Sequence, residues 1–254
     1  MPARSLPCSR PAFAALAAVA WAALPARAGA QLSGDGFLFH RPIATLTVRA
    51  GYDRPFGGGD VFGEFADRLT LDRGALGSAT GSAELAFGVA RNVDLAFGAG
   101  LASARRSSEF RHFVNEDDSP IRQTTSLRRV PLTASAKVYL TPRGRSVGSL
   151  AWIPARFTPF VGAGGGVEYY RLSQEGRFVD ESTLKIFASS YGSSGWVPSA
   201  HAFAGADLSL SPRLVASTEV RYTGARGAPK GEFTDFDRID LSGLAVAAGI
   251  GVRF

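Results

Sequence analysis

The chain has 254 residues, 45% hydrophobic and 20% charged, with 30 Gly and a formal charge of +6 at pH 7. That composition excludes a bundle of membrane helices, which needs several apolar runs of about 20 residues, while 18 Phe, 6 Tyr and 3 Trp exclude a solvated coil. Cys8 is the one Cys, so no disulfide or thiolate metal site is available, and no Lys/Arg run exceeds two residues, so no nucleic-acid partner is expected.

Residues 1–30 carry Arg4, Arg10 and Arg27 and no acid; the remaining 25 basic and 22 acidic residues leave +3. Arg4 and Arg10 form a basic start, and Phe13 to Leu24 is a 12-residue apolar run, too short to span a bilayer as a helix. Ala26-Arg-Ala28 and Ala28-Gly-Ala30 offer the small-x-small pattern that signal peptidase cuts. The reading is a cleavable signal peptide over 1–30, cut after Ala28 or Ala30, and an exported domain over 31–254.

Past residue 40 the apolar positions recur with period two, the signature of strands. Eight stretches follow, near 41–53, 80–90, 92–111, 122–140, 157–174, 194–210, 214–226 and 239–254. In the last, Leu244, Val246, Ala248, Ile250, Val252 and Phe254 oppose Gly243, Ala245, Ala247, Gly249, Gly251 and Arg253. Short connections at 90–92 and 211–213 and a medium link through Trp152 alternate with longer polar ones near 54–79, 112–121, 175–193 and 227–238. One helical turn is expected around Asp60–Arg68, where Val61, Phe65 and Leu69 recur at spacing four.

The character of the second face separates a soluble barrel from a membrane one. A water-facing side needs Lys, Glu, Thr and Asn. Here it is mostly Gly, Ala and Ser with isolated charges, which suits the crowded lumen of a narrow barrel, while the apolar face suits lipid. The fold class is therefore all-β: an eight-stranded antiparallel up-and-down transmembrane β-barrel. Tyr52, Tyr169 and Tyr222 fall on the outward face near the long-loop end and Phe254 near the short-turn end, where aromatic girdles are expected.

The isolated inward charges form groups. Arg49, Glu84, Glu219 and Arg221 fall at one height, and Asp94, Lys137, Asp207 and Arg253 at a lower one, each group with two charges of either sign. Glu168 is a partner for Arg129. A hairpin tip at Asp117 places Arg105 opposite Arg129 and Arg106 opposite Arg128; Arg106 and Arg128 are then read as outward contacts for lipopolysaccharide phosphate. Glu116, Asp117 and Asp118 are read as a solvated loop tip. His40, His112 and His201 are scattered, so neither a metal site nor a cofactor is expected.

The ending Gly249-Ile-Gly-Val252-Arg-Phe254 resembles the carboxy-terminal signal of bacterial outer-membrane β-barrels, although Ala247 stands where that signal has a polar residue. Pro159-Phe-Val-Gly-Ala-Gly-Gly-Gly-Val167, Ser211-Pro-Arg-Leu214 and Thr218-Glu-Val-Arg-Tyr222 resemble the small OmpA-, OmpX- and OmpW-like barrels. The resemblance implies a monomer in a Gram-negative outer membrane with periplasmic termini, and Gly249, Val252 and Phe254 as an assembly signal for the barrel-assembly machinery. It implies outer-membrane lipid and lipopolysaccharide as partners, and a structural or surface-interaction role with a side-chain-filled lumen. The alternative it carries is an OmpW-like conduit for small molecules, and the third is a lipid A-modifying enzyme. Against the enzyme, Ser199 and His201 stand in Ser-x-His order and no His-x-Ser element occurs, so His201 is read as a packed lumen residue.

Overall fold

The computed structural model describes residues 36–254 except Glu116, Ser149, Glu181, Ser182 and Leu184; the expected signal peptide lies outside the described residues. In chain order the elements are β1 (Ala44–Pro55), β2 (Gly58–Gly59), α1 (Asp60–Arg68), β3 (Ser78–Gly88), β4 (Val93–Val114), β5 (Pro120–Tyr139), β6 (Gly144–Val147), β7 (Ala151–Pro154), β8 (Phe157–Val179), β9 (Ile186–Ser209), β10 (Leu214–Gly227), β11 (Ile239–Asp240) and β12 (Gly243–Arg253). Strands β1, β3, β4, β5, β8, β9, β10 and β12 pair antiparallel in that order, and β12 pairs with both β10 and β1. The sheet is thus a closed eight-stranded barrel, and closure leaves no unpaired edge.

Over the lower part of every strand the alternation decides the faces. Val48, Phe97, Leu132, Val161, Val220, Val246 and Ile250 point outward and are exposed, while Arg49, Glu84, Ala96, Lys137 and Glu219 point inward and are buried. On β12 the outward apolar run from Leu244 to Val252 matches the nine to eleven residues of a tilted spanning strand.

The long strands do more than span. β8 has 23 residues and β9 has 24, and their ladder continues to Val179 opposite Ile186. The expected loops near 175–193 and 112–121 are therefore mostly hairpin. Along these extensions the apolar positions change face. On β5 they pass from outward Val130 to inward Leu127 and Ile121; on β8, from outward Val167 and Tyr169 to inward Tyr170 and Leu172. Outward positions beyond the change carry Arg128, Ser126 and Thr124 on β5 and Arg171, Ser173 and Glu175 on β8.

The inward apolar residues of the extensions need a partner, and α1 supplies it. Val61, Phe62 and Phe65 of α1, with Leu69, Leu71 and Leu76, pack against Leu127, Tyr170, Leu172, Val197, Phe233, Ile239 and Leu241 in one buried cluster. The helix is nine residues rather than a single turn; Asp60 suits the positive end of its dipole, and Glu64 pairs with Arg68 one turn on. Gly57 and Gly59 have φ of +62° and +82°, which lets the chain turn from β1 into β2 and the helix. The expected strand over 239–254 is broken, because β11 leaves the ring to pair with β10 and β2. At the short-turn end β6 and β7 form a hairpin within the medium link, with Trp152 bridged to Leu38.

Candidate functional site

The lumen below the cap is filled in tiers. At mid-height Arg49 on β1 lies 3.2 Å from Glu84 on β3 and 3.7 Å from Glu219 on β10. Arg221 lies 2.7 Å from Glu219 and 3.6 Å from Glu84. Two guanidiniums and two carboxylates thus alternate around one circuit, and Arg49 also donates to the Ser217 hydroxyl at 3.2 Å. Charges this deeply buried persist only when paired and hydrogen-bonded.

Above this circuit Arg129 pairs with Asp53, sits 3.6 Å from Glu168 and donates to the Leu241 carbonyl at 3.1 Å. The last bond ties the charged tier to the cap. Between the two tiers lies a cavity of about 100 Å³ lined by Arg49, Glu84, Arg129, Glu168, Glu219 and Arg221. Asp53 is not among the expected lumen charges; its inward parity with Arg49 on β1 is the sequence signal that marks it.

Beside the circuit, Ser135 on β5 and His201 on β9 meet over Gly164 of the intervening β8, at 2.7 Å between Oγ and Nε2. Among the described residues no hydrogen-bond partner reaches His201 Nδ1. Beneath them Lys137 lies 3.3 Å from Asp207 and 3.7 Å from the centre of the Phe160 ring. The rings of Phe160 and Phe203 lie over Gly205 and Gly162, their direct cross-strand neighbours on β9 and β8. A Cβ at Gly162 would meet both the Phe203 ring and the Ala136 carbonyl, so glycine there makes room for the aromatic layer that crosses the lumen.

Of the four lower charges, Lys137 and Asp207 pair directly, while Asp94 and Arg253 take their direct partners from outside the group. Asp94 pairs at 2.6 Å with Arg143, which the link after β5 brings in. Arg253 donates to the Ser209 hydroxyl at 2.9 Å and lies 5.8 Å from the Trp152 ring, and among the described residues it makes no direct ion pair. Arg143 lies in the link between β5 and β6, where alternation assigns no face.

The arginine pairs at the long-loop end also need correction. Val114 stands opposite Pro120, as a tip at Asp117 requires, but the register shifts between Glu109 and Val114. Below that shift Arg106 is opposite Thr125, Arg128 is opposite Ser103, and Arg129 is opposite Ala102. Arg106 falls on the inward parity of β4 with Ala102 and Ala104, and its side chain donates to the Ala75 and Gly77 carbonyls at 2.9 and 2.8 Å. It clamps the loop before β3 rather than facing lipid. Arg128 does point outward, and its neighbour on β8 is Arg171.

Two carboxylates at this end are held below their ordinary range. Burial works to raise Asp240, but hydrogen bonds from the Ser242 hydroxyl and backbone and from Arg226 outweigh it. Asp117 is held down by the Ser119 hydroxyl and backbone N–H. Of the carboxy-terminal residues, Gly249 stands between Arg49 and Ser217, Val252 faces outward, and Phe254 exchanges backbone hydrogen bonds of 3.0 Å with Ala44.

No protein-family model matches the chain, and no curated protein matches it. Among solved structures the chain is similar to Neisserial surface protein A, with 10% identity over 84% of this chain and 97% of that one and a TM-score of 0.48. It is similar to the outer membrane protein OprG from Pseudomonas aeruginosa, with 13% identity over 85% and 99% and a TM-score of 0.46. It is also similar to the outer membrane protein W of E. coli, with 15% identity over 85% and 100% and a TM-score of 0.39.

Proposed function

We propose that this protein is an integral outer-membrane β-barrel with its long-loop end outward and its termini periplasmic, serving a structural or surface-interaction role without an open pore. The observation that carries the reading is the barrel's division into an exposed apolar belt outside and paired charges inside. In hydrocarbon every backbone amide must be paired, and the closed ring meets that demand. Closure against flow is twofold: the cap cluster around α1 fills the mouth, and the Arg49 and Phe160 tiers fill the shaft. Nothing in this role uses a nucleophile or a metal, and recognition falls to the capped rim.

The conduit reading is favoured by one feature. A cleft of about 280 Å³ opens at the rim between Phe65, Phe110, Phe178, Phe187, Tyr191 and Phe233. It suits a small apolar molecule, but Gln123 and Gln174, bonded to each other at 2.5 Å, stand at its inner side. Reconstitution into planar bilayers tests the two readings together. The filled barrel is expected to give no stable conductance and no uptake of apolar solutes into vesicles; uptake would favour the conduit. A mature protein recovered soluble from the periplasm would overturn the membrane reading altogether.

A further inference from the structure

The change of face on β5 and β8 fixes a boundary on the outside of the barrel. Below it stand Leu101, Val130, Tyr169 and Trp196; the Tyr169 and Trp196 rings lie 5.3 Å apart as part of an aromatic belt. The first outward residues above Val130 and Tyr169 are Arg128 and Arg171, which stand directly opposite each other in the ladder. Arg105 points outward on β4, one outward step higher than Ser103, the residue opposite Arg128. All three are exposed, and none makes a side-chain hydrogen bond or ion pair among the described residues.

Like charges directly opposite each other destabilise a sheet. A carboxylate could offset that repulsion, but the nearest on the outward faces of β4 and β8 are Glu109 and Glu175, each four residues further along its strand, about 13 Å away. Glu109 is already paired with Arg122 at 3.1 Å. Serines occupy the outward positions between and beside the arginines: Ser103 opposite Arg128, Ser194 opposite Arg171, and Ser126 opposite Arg105. The patch is therefore three unpaired guanidiniums set among hydroxyls at the edge of the apolar belt. A guanidinium donates two parallel hydrogen bonds to a phosphate, and charge-assisted bonds of this kind are the strong ones.

We infer that Arg105, Arg128 and Arg171 form a binding site for the phosphate of an outer-leaflet phosphoglycolipid such as lipid A. This rests on the reading that the long-loop end faces outward. The source is a lipid because the arginines sit where the apolar belt ends, so a lipid whose chains lie against Val130 and Val167 brings its phosphate to their height.

The test uses the full mature protein in detergent, with thermal unfolding followed by the gel mobility of folded and unfolded forms. Bisphosphorylated lipid A is expected to raise the melting temperature of the native protein, and dephosphorylated lipid A or the same concentration of inorganic phosphate is not. The double variant R128Q/R171Q is expected to lose more than half of that rise. Without lipid it should melt at or above the native temperature, because the facing charges are gone; a merely damaged barrel would melt lower. R122Q, outside the patch, should keep the full rise. An undiminished rise in the double variant overturns the site, and an equal rise with inorganic phosphate overturns the lipid assignment. Failure of the native protein to insert into vesicles would instead overturn the membrane reading itself.

Discussion

At the scale of single residues, the mid-lumen circuit makes the sharpest prediction. Glu219 touches both Arg49 and Arg221, so Glu219→Ala leaves the buried Arg49 and the half-buried Arg221 sharing Glu84. Breaking a buried pair costs about 3–5 kcal/mol, whereas replacing both partners by apolar groups of similar size costs less. The expected order in denaturant unfolding from vesicles is thus native, then Glu219→Met with Arg221→Met, then Glu219→Ala alone. Gly162→Ala is a second test of the packed shaft. Its Cβ would meet the Phe203 ring and the Ala136 carbonyl, and overpacking of this kind costs about 1–3 kcal/mol. An unchanged unfolding midpoint in that variant would mean that the aromatic layer is not tightly packed.

At the scale of elements, the cap is held partly by a titrating group. Asp240 receives hydrogen bonds from Arg226 and from Ser242, which hold its carboxyl below the ordinary range. Because the folded value is depressed, this stabilisation is fully present above the ordinary carboxylate range and is lost as pH falls through the depressed value. Protection against hydrogen exchange at Ile239 and Leu241, taken relative to the intrinsic rate at each pH, should therefore fall under acid before the ring itself loosens. Asp240→Asn should show low protection already at pH 7 and respond much less to acid. Arg106 holds the loop before β3 through two carbonyls, so Arg106→Gln should loosen 75–77 at a cost of about 1–2 kcal/mol.

The ring strands were legible because each repeats with period two over at least a spanning length, and the Gly and Ala on the second face marked it as a lumen. Arg49, Glu84, Glu219 and Arg221 were legible for the same reason, as rare charges of fixed parity. What was not legible depends on register. The irregularity between Glu109 and Val114 shifts β4 against β5 and separates arginines that a simple hairpin would place face to face. The two-residue strands β2 and β11 are too short to show a period, and Arg143 lies in a link. The change of face at Val130 and Leu127 is written in the sequence, but it reads as a defect until a helix is seen filling the mouth.

At the scale of the whole molecule, two independent closures in series predict that removing one does not open a pore. Replacing 57–77 by a short linker should expose the Arg129 tier yet leave bilayer conductance at baseline, since the Arg49 circuit and the Phe160 layer lie below. A large stable current in that variant would show that the shaft tiers do not seal. Phe254→Ala keeps the backbone bonds to Ala44 and should still fold in detergent; a loss of assembly in cells alone would assign Phe254 to recognition by the assembly machinery.

The contact between β1 and β12 runs from Thr45 opposite Arg253 to Pro55 opposite Gly243 as an unbroken ladder. A circle closed by such ladders has no obligatory seam. Joining the chain ahead of β1 to Phe254 and reopening it at the Asp117–Asp118 turn should give a permuted protein with the same circle, its halves meeting between β4 and β5. Closure of that circle spans nearly the whole chain in either order, and its entropic cost grows only logarithmically with length. The permutant is therefore expected to refold in detergent at a rate close to the original. Its behaviour in cells then isolates one variable, because Phe254 would keep its partner Ala44 while running on through the new junction into β1. Refolding in detergent with no assembly in cells would mean that the assembly machinery needs the strand free of that junction, and assembly in both would mean that it reads the strand alone.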